Sequence, residues 1–398
     1  MRLGANDTIL PTHERVSTFR ASCGGGWQGN HEVTDTLAFE SSRPLSGILL
    51  AVALCACVQD TRLATRTPGV PPSRYPAQVV MAVPPSTPRP VAAPEALARS
   101  INAVARSFDG RVGVAVRSID KGWTVESNGD VRLPQQSVSK LWVAMTVLDL
   151  RDSGRLTLDD PITLTRNDLT LFHQPVASLL KNGEYQTTVG ELLRRALTMS
   201  DNTCNDRLLR YVGGPSAVRD FIARKGLGNI RFGPGERLLQ SATAGLTWRP
   251  EYAFGNAFSL ARARLPQSAR IAAFERYVAD PPDGAAPRAI ADALARLKKD
   301  ELLSPNSTAF LISTMESSKT GKQRMRGAVP VGWSFGHKTG TGQDLAGRTA
   351  GYNDVGLLMA PDGRAYAIAV MIGDTPRTIP QRQELMQSVV QAVVANQQ

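Results

Sequence analysis

Strand-like segments lie near both ends of the region that follows residue 95, and nearly everything between them reads as helix. Val112, Val114 and Val116 alternate ahead of an Asp120-Lys121-Gly122 turn, and residues 123–126 read as the hairpin partner. Far downstream, residues 355–359 and 365–371 are apolar runs split by Pro361-Asp362-Gly363. A sheet closed from both ends of a chain must pair distant segments, and the helical block between them is then a subdomain. The expected fold class is therefore α+β, an α/β sandwich: an antiparallel sheet flanked by helices, with an all-α subdomain. The flanking helices are predicted at residues 93–108 and 381–395, from apolar residues at helical spacing.

The chain is long enough for a large core, with 398 residues, 42% hydrophobic and 20% charged. Net charge is +11, and the first 95 residues contribute eight basic against seven acidic side chains, so the excess belongs to the globular region. No Lys/Arg run with interleaved aromatics accompanies it, which argues against a nucleic-acid partner. Of four cysteines only Cys204 falls after residue 95, and the histidines there are His173 and His337 alone. That donor set supports neither a disulfide within the domain nor a metal site, and no cofactor is expected.

The chain divides into residues 1–57, an upstream segment with a signal or lipoprotein peptide, a Pro-rich linker at 58–95, and a catalytic domain at 96–398. The apolar run preceding Cys55 and Cys57 is too short to span a bilayer and suits a signal-peptide core. Leu54-Cys55-Ala56-Cys57 resembles a lipobox, with Cys57 as the lipid-bearing residue of a periplasmic, membrane-anchored protein. Prolines recur from Pro68 to Pro94, as in a semi-rigid spacer.

Three Ser-x-x-Lys patterns occur, at Ser118/Lys121, Ser137/Lys140 and Ser178/Lys181. Only Ser137 opens a segment apolar on all sides, residues 141–148, as a buried helix would be. One helical turn places Lys140 beside Ser137, and a desolvated amine is a plausible proton acceptor there. Ser200-Asp201-Asn202 occurs once, after a predicted helix at 189–199. Lys-Thr-Gly occurs twice: at 319–321, in a polar stretch that reads as a surface loop, and at 338–340, ahead of the terminal strands and suited to an edge strand. Taken singly, Ser137 serves as an N-cap, Ser200-Asp201 as a loop cap and Lys338 as a solvated charge. Together, in that order and around a helical block, they read as a site.

Ser137-Val138-Ser139-Lys140, Ser200-Asp201-Asn202 and Lys338-Thr339-Gly340 resemble the three signature elements of class A β-lactamases and related penicillin-binding proteins. The resemblance covers about 300 residues and extends to Leu303-Ser304-Pro305 and residues 329–333. It implies Ser137 as the acylated nucleophile, Lys140 as its activator and Ser200 as proton relay. Asn202 would bind the acyl-amide side chain, Lys338 and Thr339 the substrate carboxylate, and the Ser137 and Thr341 N–H groups the oxyanion, with Gly340 a further substrate-binding position. Glu236, 36 residues after Ser200 at the family's spacing, would activate the deacylating water. The implied partner is a β-lactam or a peptidoglycan peptide, bound by a monomer.

Departures from the family pattern are Gln240 for Asn, Asp206 for Asn, Gly233-Pro234-Gly235 without the Arg that ties this loop, His337 before Lys338, and an insertion at about 241–286 with two short helices. A carboxylate at Asp206 close to Glu236 is expected to raise one pKa of the pair. The alternatives are a D-Ala-D-Ala peptidase or transpeptidase using Ser137, and a non-hydrolysing penicillin or peptidoglycan sensor. A Ser-His-Asp esterase fits less well, with no Gly-x-Ser-x-Gly around Ser137.

Overall fold

The computed structural model describes residues 91–397. The signal peptide, lipobox and most of the Pro-rich linker lie outside the described residues. The main sheet has five antiparallel strands: β1 (Arg111–Ser118), β2 (Thr124–Ser127), β3 (Ser334–Thr341), β4 (Tyr352–Met359) and β5 (Ala365–Asp374), in spatial order β2-β1-β5-β4-β3. The register that pairs the two ends of the domain sets Ala115 opposite Ala369 and Val114 opposite Val370. Alternation along β1 and β5 then sends Val114, Val116, Ile368 and Val370 to one face and Ala115, Ala367, Ala369 and Met371 to the other. Helices α1 (Glu95–Ser107) and α11 (Ile379–Ala395) cover the first face through Leu97, Ile101, Val389 and Val390.

The second face carries the helical block: α2 (Lys140–Asp152), α3 (Val189–Thr198), α4 (Asn202–Tyr211), α5 (Gly214–Arg224), α6 (Glu236–Thr243), α7 (Ala257–Arg264), α8 (Gln267–Ala279), α9 (Pro287–Lys298) and α10 (Pro305–Glu316). At its centre lies α2, buried at every position from Lys140 to Leu148. Full burial of Leu141, Trp142, Met145 and Leu148 contributes about 1.5–3 kcal/mol per side chain, which fixes this helix as the axis of the subdomain. The block is not wholly helical, because residues 161–165 and 184–188 form a two-stranded hairpin. Pro161-Ile162-Thr163-Leu164 alternates exposed and buried, a period-2 signal hidden between helical segments. The insertion holds α7 and α8; α8, at 13 residues, is longer than the short helix expected.

Candidate active site

Three chain segments converge where α2 meets β3. Ser137 lies in a 3-10 turn, Gln136–Ser139, immediately before α2, and Gln136 has a left-handed φ of 54°. A non-glycine residue in that conformation persists only where its surroundings over-determine it. The Gln136 N–H donates to Asp283 Oδ2 at 2.8 Å, and its amide donates to the Tyr277 hydroxyl at 2.7 Å and the Ala350 carbonyl at 3.0 Å. Asn353 of β4 donates to the carbonyls of Pro134 and Gln135, tying the turn to the sheet. Gly340 is required at this junction: a Cβ there would lie 2.3 Å from the Gln135 carbonyl oxygen.

Beneath the partly exposed Ser137, Lys140 is buried and its Nζ donates to Ser137 Oγ at 2.7 Å, to Asn202 Oδ1 at 2.8 Å and to Glu236 Oε1. Asn202 opens α4, where Asp201 caps the helix by accepting from the Cys204 N–H at 3.0 Å; the Asn202 amide donates to the Leu171 carbonyl. Across the cleft Lys338 Nζ donates to Ser200 Oγ at 2.8 Å and to the Thr339 carbonyl at 2.9 Å. Burial, with the like charges of Lys140 and Arg324 nearby, pushes the Lys338 ammonium well below its ordinary value.

A cleft of about 360 Å³ joins these groups, lined on its catalytic side by Ser137, Ser200, Asn202, Glu236, Thr339 and Thr341. Lys338 itself is fully buried behind Ser200, and the cation on the cleft wall is Arg324. Its guanidinium donates to Gly340 O (2.9 Å), Asn353 O (2.6 Å) and Thr341 Oγ1 (2.5 Å), and lies 3.8 Å from the Tyr352 ring centroid. Thr320 also lines the cleft and shares a 2.8 Å hydrogen bond with Thr339. The Lys-Thr-Gly at 319–321 is thus more than a surface loop: Lys319 is exposed, but Thr320 belongs to the cleft wall. That second triplet was a legible signal; a lone Arg324 in a polar stretch was not.

The region around Glu236 compensates for its departures. Gly235, at φ 95°, leaves α6 without a side-chain cap of its own. Asp206 supplies one, accepting from the Glu236 and Arg237 N–H groups at 3.0 and 3.3 Å. Burial and then the Glu236 charge raise the Asp206 pKa, although its carboxylate faces the helix end. Arg237 donates to the Asn167 and Leu169 carbonyls, anchoring the loop where the family's Arg is missing. Gln240 donates to Glu236 Oε2 at 3.2 Å and to Gln136 Oε1 at 2.9 Å, and Gln343 donates to Gln240. One amide network therefore links Glu236, the turn that carries Ser137 and the segment that follows β3. His337 of β3 is buried, its Nδ1 2.7 Å from Asp354 Oδ1, and is not part of the cleft lining.

A serine with a buried lysine at its hydroxyl, a second serine–lysine pair opposite and an α+β fold with helices on both faces of one sheet define the class as a serine hydrolase. The model of the beta-lactamase enzyme family matches residues 96–397. The extended-spectrum beta-lactamase PER-1 of Pseudomonas aeruginosa is 29% identical over 281 residues, covering 70% of this chain and 80% of that protein. The crystal structure of a beta-lactamase from Chitinophaga pinensis is 27% identical with a TM-score of 0.62, covering 75% of this chain and 99% of that one. An ancestral class A beta-lactamase is 28% identical with a TM-score of 0.59, covering 75% and 99%. The chain belongs to the beta-lactamase enzyme family and is of class A.

Proposed function

We propose that this protein hydrolyses β-lactams through an acyl-enzyme on Ser137. The observation that carries the reading is the Lys140 Nζ held at once by Ser137 Oγ, Asn202 Oδ1 and Glu236 Oε1. Ser137 Oγ attacks the lactam carbonyl, passing its proton to the Lys140 amine. The N–H groups of Ser137 and Thr341 receive the oxyanion, and the Lys338-activated Ser200 hydroxyl delivers a proton to the departing nitrogen. Arg324, Thr320 and Thr339 hold the substrate carboxylate, while Lys338 acts from behind through Ser200. Water activated by Glu236 then cleaves the ester. One chain supplies every group, so a monomer suffices.

We also propose export to the periplasm and lipid attachment at Cys57, supported by the apolar run and Leu54–Cys57 sequence alone. Mixing purified protein with a chromogenic cephalosporin while following protein mass tests the catalytic reading. Sustained turnover with at most a transient adduct supports it. A stable adduct without turnover favours the peptidase or sensor.

A further inference from the structure

Beyond the catalytic groups, the cleft opens toward the insertion. Phe172, exposed and at φ 59°, stands in the wall of the catalytic cleft and also of an adjoining cavity of about 390 Å³. Its ring rests edge-on against Phe258 of α7, with centroids 5.1 Å apart, so the insertion props up a residue of the cleft. The second cavity is lined by Arg262 of α7 and Arg270 of α8, facing the 344–347 turn that continues from Gln343 of the cleft.

Among the described residues these two arginines lack the carboxylate partners that Arg249 and Arg348 have. Arg249 pairs with Glu251, and Arg348 with Glu275 and Asp374. Arg262 and Arg270 each keep a buried Nε without a hydrogen-bond partner among the described residues. Arg262 donates instead to the Asp344 main-chain carbonyl at 3.0 Å, while the Asp344 carboxylate accepts from the Thr349 hydroxyl. Burial and the close Arg270 charge both work against the Arg262 cation, and the Asp344 charge on the cavity wall offsets them only in part. Two like charges held together beside a cavity are relieved by an anion that enters it, and guanidinium forks fit a carboxylate.

We propose that α7 and α8 build an extension of the substrate cleft for a carboxylate on the acyl side chain, with Arg262 and Arg270 as the residues that select it. The inference rests on the β-lactam reading above. Asn202 and Thr341 flank the nucleophile, and a long acyl substituent leaves between them across Phe172 into the arginine-lined cavity. The insertion thereby sets preference within the substrate class and leaves the chemistry at Ser137 untouched.

The test uses two oxyimino-cephalosporins that differ in one carboxylate on the oxyimino group, compared as a ratio of kcat/KM. In Arg262→Gln/Arg270→Gln the ratio should fall about tenfold, equivalent to about 1.4 kcal/mol of lost charge-assisted contact. Arg262→Lys/Arg270→Lys, which keeps both charges, should retain most of the preference, and raised salt should shrink it in the unaltered protein. A ratio unchanged in the glutamine variant, or lost equally in the lysine variant, overturns the proposal. If the unaltered protein turns over neither compound, the hydrolysis reading fails; the ratio of acylation rates, read by protein mass, then still decides the subsite.

Discussion

Replacing Arg324 by Ala should damage stability and substrate binding together, because one guanidinium braces β3 and faces the cleft. The change leaves the Gly340 and Asn353 carbonyls and the Thr341 hydroxyl without their donor, and Arg324 is only 8% exposed. At about 1 kcal/mol for each lost hydrogen bond the three sum to about 3 kcal/mol. The contact with Tyr352 at 3.8 Å adds about 2 kcal/mol for a desolvated cation–π pair. A loss of about 5 kcal/mol in a domain of this size lowers Tm by roughly 10 °C or more. The same substitution removes the cation on the cleft wall, so KM should rise about 10–100-fold, as for a lost hydrogen bond to a charged group. Differential scanning calorimetry and steady-state kinetics read the two effects. Arg324→Lys should recover part of the affinity and little of the stability, since an ammonium cannot serve three diverging acceptors and stack as well. A Tm within about 2 °C of the parent together with an unchanged KM would refute this account of Arg324.

Other perturbations separate the remaining roles. Glu236→Gln keeps an acceptor for Lys140 but removes the base, so the acylation burst should survive while deacylation slows about 10²–10⁴-fold in stopped-flow traces. The Asp283 carboxyl is pushed up to about 6, first by burial. The folded state thus holds a proton that the unfolded chain has already lost between about pH 4 and 6, and stability should decline as pH rises through that window. The decline is about 3 kcal/mol, and Asp283→Asn should flatten it in urea titrations at pH 4 and 7, because the Asn oxygen still accepts from Gln136 N. Cys57→Ser should move the protein from the membrane to the soluble fraction or leave it unprocessed; wild-type protein recovered as a soluble species beginning elsewhere contradicts lipidation.

Much of the fold was legible because its signals are local. Alternating valines mark β1, an all-round apolar run marks α2, and order along the chain places Ser137, Ser200 and Lys338 around one block. What escaped depends on contacts that spacing cannot encode. Asp206 read as an electrostatic liability beside Glu236, yet its two oxygens cap α6 across 30 residues of chain. Gln136 gave no signal, although its left-handed backbone and three amide contacts fix the turn that carries Ser137. Arg324 reached the site only through the return of the chain to β3. The hairpin at 161–165 and 184–188 was masked because each strand is five residues long and its partner lies beyond a loop with its own 3-10 turns.

The central claim is that a β-lactam carbonyl becomes esterified to Ser137 and is released with the help of Glu236. The most direct measurement traps that ester in Glu236→Gln with a reactive penicillin, digests the protein and locates the added mass by tandem mass spectrometry. The account predicts the adduct on the peptide containing Ser137, accumulating to one per chain, and its complete absence when Ser137→Ala is introduced as well. An adduct on Ser118, Ser178 or Ser200, or one that survives Ser137→Ala, would contradict it.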